Sequence, residues 1–220
     1  MMQGKGGVDK VRASRDGHEY HEAWTARLAL KLLWPDSELA AIAVEGLSQV
    51  DQARASTQAI EIADVTLYYG ASSSFEEASR VCVVQFKYSV SDAERAFRAS
   101  HAKKTIEKFA ATYLDNTKNY GAAAVREKLD FQLITNRPIY EPLLQAVDAI
   151  AQGLPRTGEV AKQAKQFETH ENTGVRSSFL AFRSGDAGVD GYMPCLRLRN
   201  CGDRSCSVLQ ETRSDRGRLG

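Results

Sequence analysis

The sequence has 220 residues, of which 43% are hydrophobic and 26% charged, and this balance excludes a chain that is disordered throughout. Lysine and arginine number 29 against 28 acidic residues, so any contact with nucleic acid has to come from a local patch and not from an overall basic field. No apolar stretch approaches the ~20 residues of a membrane helix, and the first residues lack the apolar core of a signal peptide. We therefore expect a cytoplasmic protein without a membrane segment.

Composition and patterning divide the chain into three parts. Residues 1–15 are rich in glycine and charge without periodicity, which predicts a mobile leader. Residues 16–170 alternate helical and strand patterns, which is typical of an α/β domain. Over residues 171–220 this pattern fades and lysine is absent, so we expect an irregular, poorly folded tail.

The first helix is predicted from a capping box and a periodic apolar stripe. Asp16 is the expected N-cap, and Glu19 follows three residues later as its partner. Pro35 is expected to end the helix, because proline has no amide proton and disfavours helical geometry in the residue before it. The stripe, at four-residue spacing, consists of Tyr20, Trp24, Leu28 and Leu32.

Three strands are expected next. The first spans residues 42–47 and the second spans residues 62–69, which are rich in β-branched and aromatic side chains. Residues 48–61 form a polar connection between these two strands. The third strand spans residues 81–89 and is the most informative segment of the chain.

Alternation along the third strand separates two faces. Cys82, Val84 and Phe86 share a purely apolar face. On the other face, apolar residues give way to Gln85 and Lys87, which indicates a packed interior that opens into a cleft. A lysine beside a buried strand needs water, an anion or a carboxylate for its ammonium group, and an edge-strand lysine that extends into water is the simpler alternative.

Acidic residues upstream favour a cleft. Glu45 belongs to the first predicted strand, Asp64 lies near the start of the second, and Glu22 lies on the opening helix. Together with Gln85 and Lys87 they supply oxygen ligands and one cation. Mg²⁺ prefers such oxygens, and a bound Mg²⁺ activates water and neutralises phosphate charge. The sequence therefore predicts the side chains that metal-assisted hydrolysis of a phosphodiester requires.

Other polar residues compete for these roles. Asp51 falls in the polar connection, where acids usually face water, and Glu61 is expected to be solvated at the start of its strand. Asp64 ranks first because it lies within the strand pattern. His18 and His21 could bind a transition metal at their three-residue spacing, but a surface or packing role is favoured because no further ligand is evident.

A long helix is predicted after the third strand, starting with a capping box at Ser91 and Glu94. Its polar face carries Lys103, Lys104 and Lys108. Such a face usually means solvated lysines, but its position directly after the cleft strand makes contact with nucleic-acid phosphates a reasonable hypothesis. A short helix, a strand over residues 131–136 and two further helices complete the predicted domain.

The order of these motifs resembles the PD-(D/E)XK nuclease superfamily, and in particular the N-terminal nuclease domains of bacterial antiphage effectors, the CD-NTase-associated and NTPase-coupled endonucleases. The resemblance covers about residues 16–170. It is carried by Asp16-Gly17-His18-Glu19-Tyr20 at the helix start, Glu45, Asp64, Gln85-Phe86-Lys87 and Thr135-Asn136.

The resemblance implies a restriction-endonuclease-like fold, with a mixed central sheet flanked by helices, and a Mg²⁺- or Mn²⁺-dependent DNA endonuclease in an antiphage defence system. It implies a metal held by Asp64, by the side-chain oxygen of Gln85 and by the backbone carbonyl of Phe86, with Lys87 as the catalytic lysine. Glu45 would be a second-metal ligand or a general base, and Glu22 a weaker acid from the first helix.

Two departures from the family pattern leave a second function possible. His21 stands where the first helix usually carries glutamine or glutamate, and Gln85 replaces the more frequent carboxylate. The alternative is a catalytically inactive module of the same fold that binds nucleic acid or a partner protein. A homodimer and a separately encoded NTPase or sensor partner are further expectations from the resemblance.

Overall fold

The structure is a computed structural model and describes residues 5–151, 154–168 and 196–200. The described helices are α1 (Lys5–Ala29), α2 (Gln49–Gln52), α3 (Thr57–Ile62), α4 (Ala99–Tyr120), α5 (Ala122–Lys128), α6 (Glu141–Ala151) and α7 (Gly158–Glu168), with a 3-10 turn at Leu30–Leu33. The described strands are β1 (Leu39–Val44), β2 (Val65–Gly70), β3 (Ala78–Lys87), β4 (Leu129–Thr135) and β5 (Leu196–Asn200). This element order confirms the α/β class.

The strands form a mixed open sheet in the order β1-β2-β3-β4, with β5 added beside β4. β1, β2 and β3 are antiparallel neighbours, whereas β4 runs parallel to β3 and β5 runs parallel to β4. The ladder between β2 and β3 ends at the pair Val65–Val84, but β3 stays paired with β4 as far as Lys87 and Thr135. The last three residues of β3 therefore have a strand on one side only, and we call the open side the notch.

Helices cover both faces of the sheet. On one face, Val81 and Val83 of β3 belong to a core cluster that includes Ile106 and Phe109 of α4. On the other face, Val84 and Phe86 belong to a second cluster that includes Leu28 of α1. Burying each large aliphatic or aromatic side chain contributes about 1.5–3 kcal/mol, so these clusters fix which side of β3 faces which helix. This arrangement confirms the two predicted faces of β3.

The predicted start of the first helix is wrong. Helix α1 begins at Lys5 and runs through Asp16, so residues 5–15 of the expected leader are helical and the boundary at residue 16 is not a break in secondary structure. Glu19 does not act in a capping box at a helix start. Its carboxylate instead accepts a hydrogen bond from Arg15, one turn earlier, at 2.9 Å.

The structure also differs from the prediction in the connection over residues 48–61 and at the start of the long helix. The polar connection over residues 48–61 contains α2 and α3, each with a serine N-cap, Ser48 and Ser56. Helix α4 begins at Ala99 and not at Ser91. The backbone of Phe97 explains this late start, because its N–H donates to Pro138 and its carbonyl accepts from Tyr140. Residues 88–98 consequently form a connection that is tied to the chain after β4.

Most of the expected C-terminal tail lies outside the described residues. Within it, Leu196–Asn200 forms β5 and pairs in register with β4, so the expectation of an irregular tail is wrong for this segment. In the described part of the chain, no helix combines the length and apolarity that crossing a membrane requires.

Replacing Gly17 with alanine tests whether α1 is continuous. Gly17 lies inside the helix, and an added methyl group would meet no atom within 4 Å, so the substitution should raise the free energy of unfolding by about 0.5–1 kcal/mol. Urea denaturation measures this change. The matched control is Gly70→Ala, which should be destabilising because Gly70 has φ +96° and the new Cβ would lie 2.9 Å from the Ser79 hydroxyl oxygen. A loss of stability for Gly17→Ala would contradict the continuous helix.

Candidate functional site

The notch beside β3 is filled by a carboxylate. Asp64 precedes β2, and its backbone N–H donates to the Val84 carbonyl at 3.1 Å. Its side-chain Oδ2 accepts a hydrogen bond of 2.6 Å from the N–H of Phe86. The N–H and C=O of one strand residue point to the same side, so the Phe86 carbonyl also points into the notch. Asp64 and the main chain of Phe86 thus present oxygens at one edge of the sheet.

Glu45 reaches the same edge from the end of β1. Its N–H donates to the Asp64 carbonyl at 2.8 Å. Its φ is +54°, in the left-handed region that a residue with a side chain rarely adopts, and Gly46 follows with φ +145°. The turn is held by Thr66, whose buried hydroxyl donates to the Gly46 carbonyl at 2.7 Å. Strained backbone of this kind persists where surrounding contacts enforce it, and it is frequent at functional sites.

The Asp64 carboxylate is electrostatically unfavourable as an anion. Burial raises its pKa above the ordinary value, and the neighbouring Glu45 carboxylate raises it further. The hydrogen bond from Phe86 and the charges of His21 and Lys87 oppose this rise without cancelling it. The Glu45 and Asp64 carboxylates therefore repel each other, and a bound cation would relieve that repulsion.

Lys87 brings an ammonium group to the site. Its side chain is half-buried, and this burial lowers its pKa, as do the positive charges of Lys108 and Lys104 on α4, while Asp64 opposes the change. No acidic side chain in the described ranges forms a direct ion pair with Lys87. The Asp64 charge thus acts on the ammonium group without a direct ion pair between the two side chains.

Gln85 supplies an oxygen that the protein leaves unsatisfied. It lies two residues before Lys87 on the same face of β3, and its Oε1 is buried without a hydrogen-bond partner among the described residues. An unmet buried acceptor costs about 1–3 kcal/mol, so such an atom calls for an explanation. A hard divalent cation is a suitable partner, because carboxylate, amide and carbonyl oxygens are its preferred ligands.

The donor set therefore fits a divalent cation. Asp64, the Gln85 amide oxygen and the Phe86 carbonyl could hold it, with Glu45 adjoining Asp64. Across the described residues, no three His, Cys, Asp or Glu side chains converge in a way that could hold a metal ion. Any cation at the notch would consequently depend on the amide and main-chain oxygens that the resemblance implies as ligands.

On the first helix, His21 contacts the strand that carries the candidate site, whereas the predicted Glu22 is exposed. Glu22 is exposed on α1 and is not among the charges that act on Asp64. His21 instead packs on Phe86 with ring centroids 5.2 Å apart, and its charge lowers the pKa of Asp64. The spacing of His21, Trp24 and Leu28 could have revealed this, because positions i, i+3 and i+7 share one helix face.

Asp51 has a structural role, and the expectation that it faces water is wrong. Its side chain is only 7% exposed, and both carboxylate oxygens lie 3.1 Å from the N–H of Phe75. The carboxylate thereby satisfies a buried amide on a distant loop. Glu61 is exposed, as predicted.

The three lysines predicted to lie on the polar face of the long helix divide into two groups. Lys104 and Lys108 lie one helical turn apart, and both act electrostatically on Lys87. Lys103 is exposed and is not among the charges that influence Lys87. The face of α4 that adjoins the site thus carries Lys104 and Lys108, and we call this pair the α4 lysines.

No protein-family model matches the sequence, and no match is found among curated proteins.

Asp64→Asn should stabilise the metal-free protein at pH 7. The folded-state pKa of Asp64 lies above its unfolded value, so stability is lost as the pH rises from the unfolded pKa through the folded pKa. Asparagine removes the charge, and Tm should rise by a few degrees. The gain should vanish below about pH 4, where Asp64 is protonated in both states. Thermal unfolding followed by circular dichroism across this pH range measures the difference.

The control for this experiment is a substitution of Asp51, a buried carboxylate with a structural role. Asp51→Ala should lower the free energy of unfolding at pH 7 by about 1–3 kcal/mol, because the buried Phe75 amide would lose its acceptor. If Asp64→Asn were destabilising at pH 7, Asp64 would have the same structural role as Asp51.

Proposed function

We propose that this chain is a divalent-cation-dependent nuclease that hydrolyses phosphodiester bonds of DNA at the notch. The observation that carries the proposal is the buried Oε1 of Gln85, which has no hydrogen-bond partner among the described residues. Gln85 directly precedes Phe86, whose N–H donates to the Asp64 carboxylate. A cation would satisfy this oxygen and neutralise the repulsion between Asp64 and Glu45. The free ammonium of Lys87 would then face the anionic substrate.

The topology supports a restriction-endonuclease-like fold for this proposal. A helix precedes three antiparallel strands, and a second long helix leads to a strand parallel to the third. α1 packs on one face of the sheet and α4 on the other. This arrangement has the mixed central sheet and flanking helices that the resemblance implies.

Each residue has a distinct role in the proposed reaction. Asp64, Gln85 and the Phe86 carbonyl would hold the cation, which when bound lowers the pKa of the attacking water and neutralises phosphate charge. Lys87 donates hydrogen bonds to a non-bridging phosphate oxygen and stabilises the charge that develops there. The exposed Glu45 carboxylate accepts the proton that the attacking water loses as its oxygen bonds to phosphorus. The bond from phosphorus to the leaving sugar oxygen breaks, and solvent water protonates that oxygen.

The α4 lysines extend this site towards the DNA backbone. Ammonium groups bind phosphates irrespective of base sequence, whereas base readout requires an element in a groove. We therefore propose cleavage with little sequence preference. From the resemblance, we further propose that the activity belongs to an antiphage effector that works as a homodimer or with a separate NTPase or sensor.

One observation favours the alternative of an inactive binding module. Gln85 is neutral where the resembled family more often has a carboxylate, so the ligand set carries one negative charge fewer and should bind a cation more weakly. The cleavage assay below separates the two functions.

Lys87→Ala and Asp64→Ala should each reduce cleavage of plasmid DNA in Mg²⁺ or Mn²⁺ by about 10²-fold or more, because each removes charge from the reaction site. The control is Lys118→Ala, which removes an exposed lysine near the far end of α4 and should leave the rate unchanged. Gel-based initial rates at matched protein concentration give the comparison. Equal cleavage by all four proteins would reject the nuclease proposal, and cation-independent DNA binding without cleavage would support the inactive module.

Replacing both α4 lysines with alanine should weaken DNA binding and reduce the slope of log K against log salt by about two, since each phosphate contact contributes about one. Fluorescence anisotropy with a labelled duplex at several salt concentrations measures this slope. Lys103→Ala is the neighbouring control and should change the slope less. An unaltered slope in the double variant would show that this face does not contact DNA.

A further inference from the structure

The strand that carries Lys87 is held from one side by a side chain. The parallel ladder between β3 and β4 ends at the pair Lys87–Thr135. Beyond it, Oδ1 of Asn136 accepts a hydrogen bond of 3.1 Å from the N–H of Ser89, and Nδ2 donates to the Ser89 carbonyl at 2.8 Å. A carboxamide has the same donor and acceptor as a peptide group. Asn136 thus extends the ladder past Lys87 by one more pair.

The same turn holds the far end of the connection to α4. Arg137 is only 5% exposed, and its guanidinium donates to the carbonyls of Arg95 at 2.8 Å and Ala96 at 3.1 Å. The Phe97 N–H donates to the Pro138 carbonyl at 2.7 Å. Residues 88–98 are therefore anchored to the chain after β4 at both ends, one anchor next to Lys87 and the other next to the start of α4.

The notch makes the first anchor important for Lys87. Past Val84, β2 no longer pairs with β3, and among the described residues the Asp64 side chain provides the hydrogen bond to the Phe86 main chain on that side. Strand ends with few hydrogen bonds open locally at low free-energy cost. Without the Asn136 carboxamide, the ladder would end at Lys87 itself, and the lysine would lie in a fraying terminus.

We infer that Asn136 is a positioning residue for Lys87, which it holds in the orientation needed to meet a phosphate by fixing the backbone at Ser89. The inference rests on the proposed nuclease function. Among the described residues, Asn136 forms hydrogen bonds to Ser89 and none to Asp64, Gln85 or Lys87. Its effect should fall on the rate of the chemical step and not on the affinity for DNA.

The test compares Asn136→Ala and Asn136→Asp with Asn119→Ala. Asn119 also donates an amide hydrogen bond to a backbone carbonyl, that of Arg54 at 2.9 Å, but near the opposite end of α4. The measurements are kcat and KM for duplex DNA with Mn²⁺, and amide hydrogen exchange at Ser89. Aspartate keeps an acceptor for the Ser89 N–H and loses the donor, so it is a milder variant if alanine prevents folding.

We expect Asn136→Ala to lower kcat by about tenfold or more while KM stays within about twofold, since misplacing a catalytic group by ~1 Å has effects of this size. Exchange at Ser89 should accelerate in the same variant, Asn136→Asp should be intermediate, and Asn119→Ala should match wild type. Faster exchange at Ser89 with an unchanged kcat would overturn the inference, as would an equal loss in Asn119→Ala. A wild-type chain that cleaves nothing would instead contradict the proposed function, and the positioning role with it.

Discussion

The hydrogen bond between the Asp64 carboxylate and the Phe86 amide is the interaction on which the site depends. β2 begins at Val65, too late to pair with the last residues of β3, and the carboxylate occupies the position that a strand would otherwise fill. This single contact of 2.6 Å places an acid against a main-chain segment flanked by Gln85 and Lys87. The Asp64 carbonyl in turn fixes Glu45 through the Glu45 N–H. Glu45, Asp64, Gln85 and Lys87 thereby lie at the same end of the sheet, where β1 and β3 end and β2 begins.

Several polar groups at this end of the sheet lack partners within the described part of the protein that would compensate their charge or hydrogen-bonding capacity. Burial raises the pKa of Asp64, Lys87 is half-buried and repelled by two other lysines, and the Gln85 oxygen has no partner among the described residues. Each feature costs folding free energy, and such costs are characteristic of functional sites. A divalent cation and a phosphate together would compensate all three, because the cation meets the oxygens and the phosphate meets the ammonium groups.

Local pattern was sufficient to predict part of this arrangement. Period-two alternation assigned Gln85 and Lys87 to one face of β3, since that signal lies within a few consecutive residues. The start of α1 was mispredicted because Asp16 and Glu19 fit a capping box equally well inside a helix. The ends of the predicted strands differ from those of β1–β4 by at most three residues, because pairing partners set the ends of strands, whereas α4 starts eight residues later than predicted.

The remaining features depend on contacts that are distant in sequence. Asp51 is bonded to Phe75, 24 residues away, and Asn136 to Ser89, 47 residues away. Neither pair produces a periodic signal, so a polar residue in a loop is read by default as solvated. The notch likewise arises from unequal strand lengths, which only the pairing register between β2 and β3 reveals.

Direct measurement of Mn²⁺ binding by titration calorimetry tests the cation site without relying on catalysis. The account predicts one Mn²⁺ per chain, lost in Asp64→Asn and bound more tightly in Gln85→Glu, where a second carboxylate replaces the neutral amide. Binding that is equal in wild type and both variants, or absent from all three, would contradict a cation site at the notch.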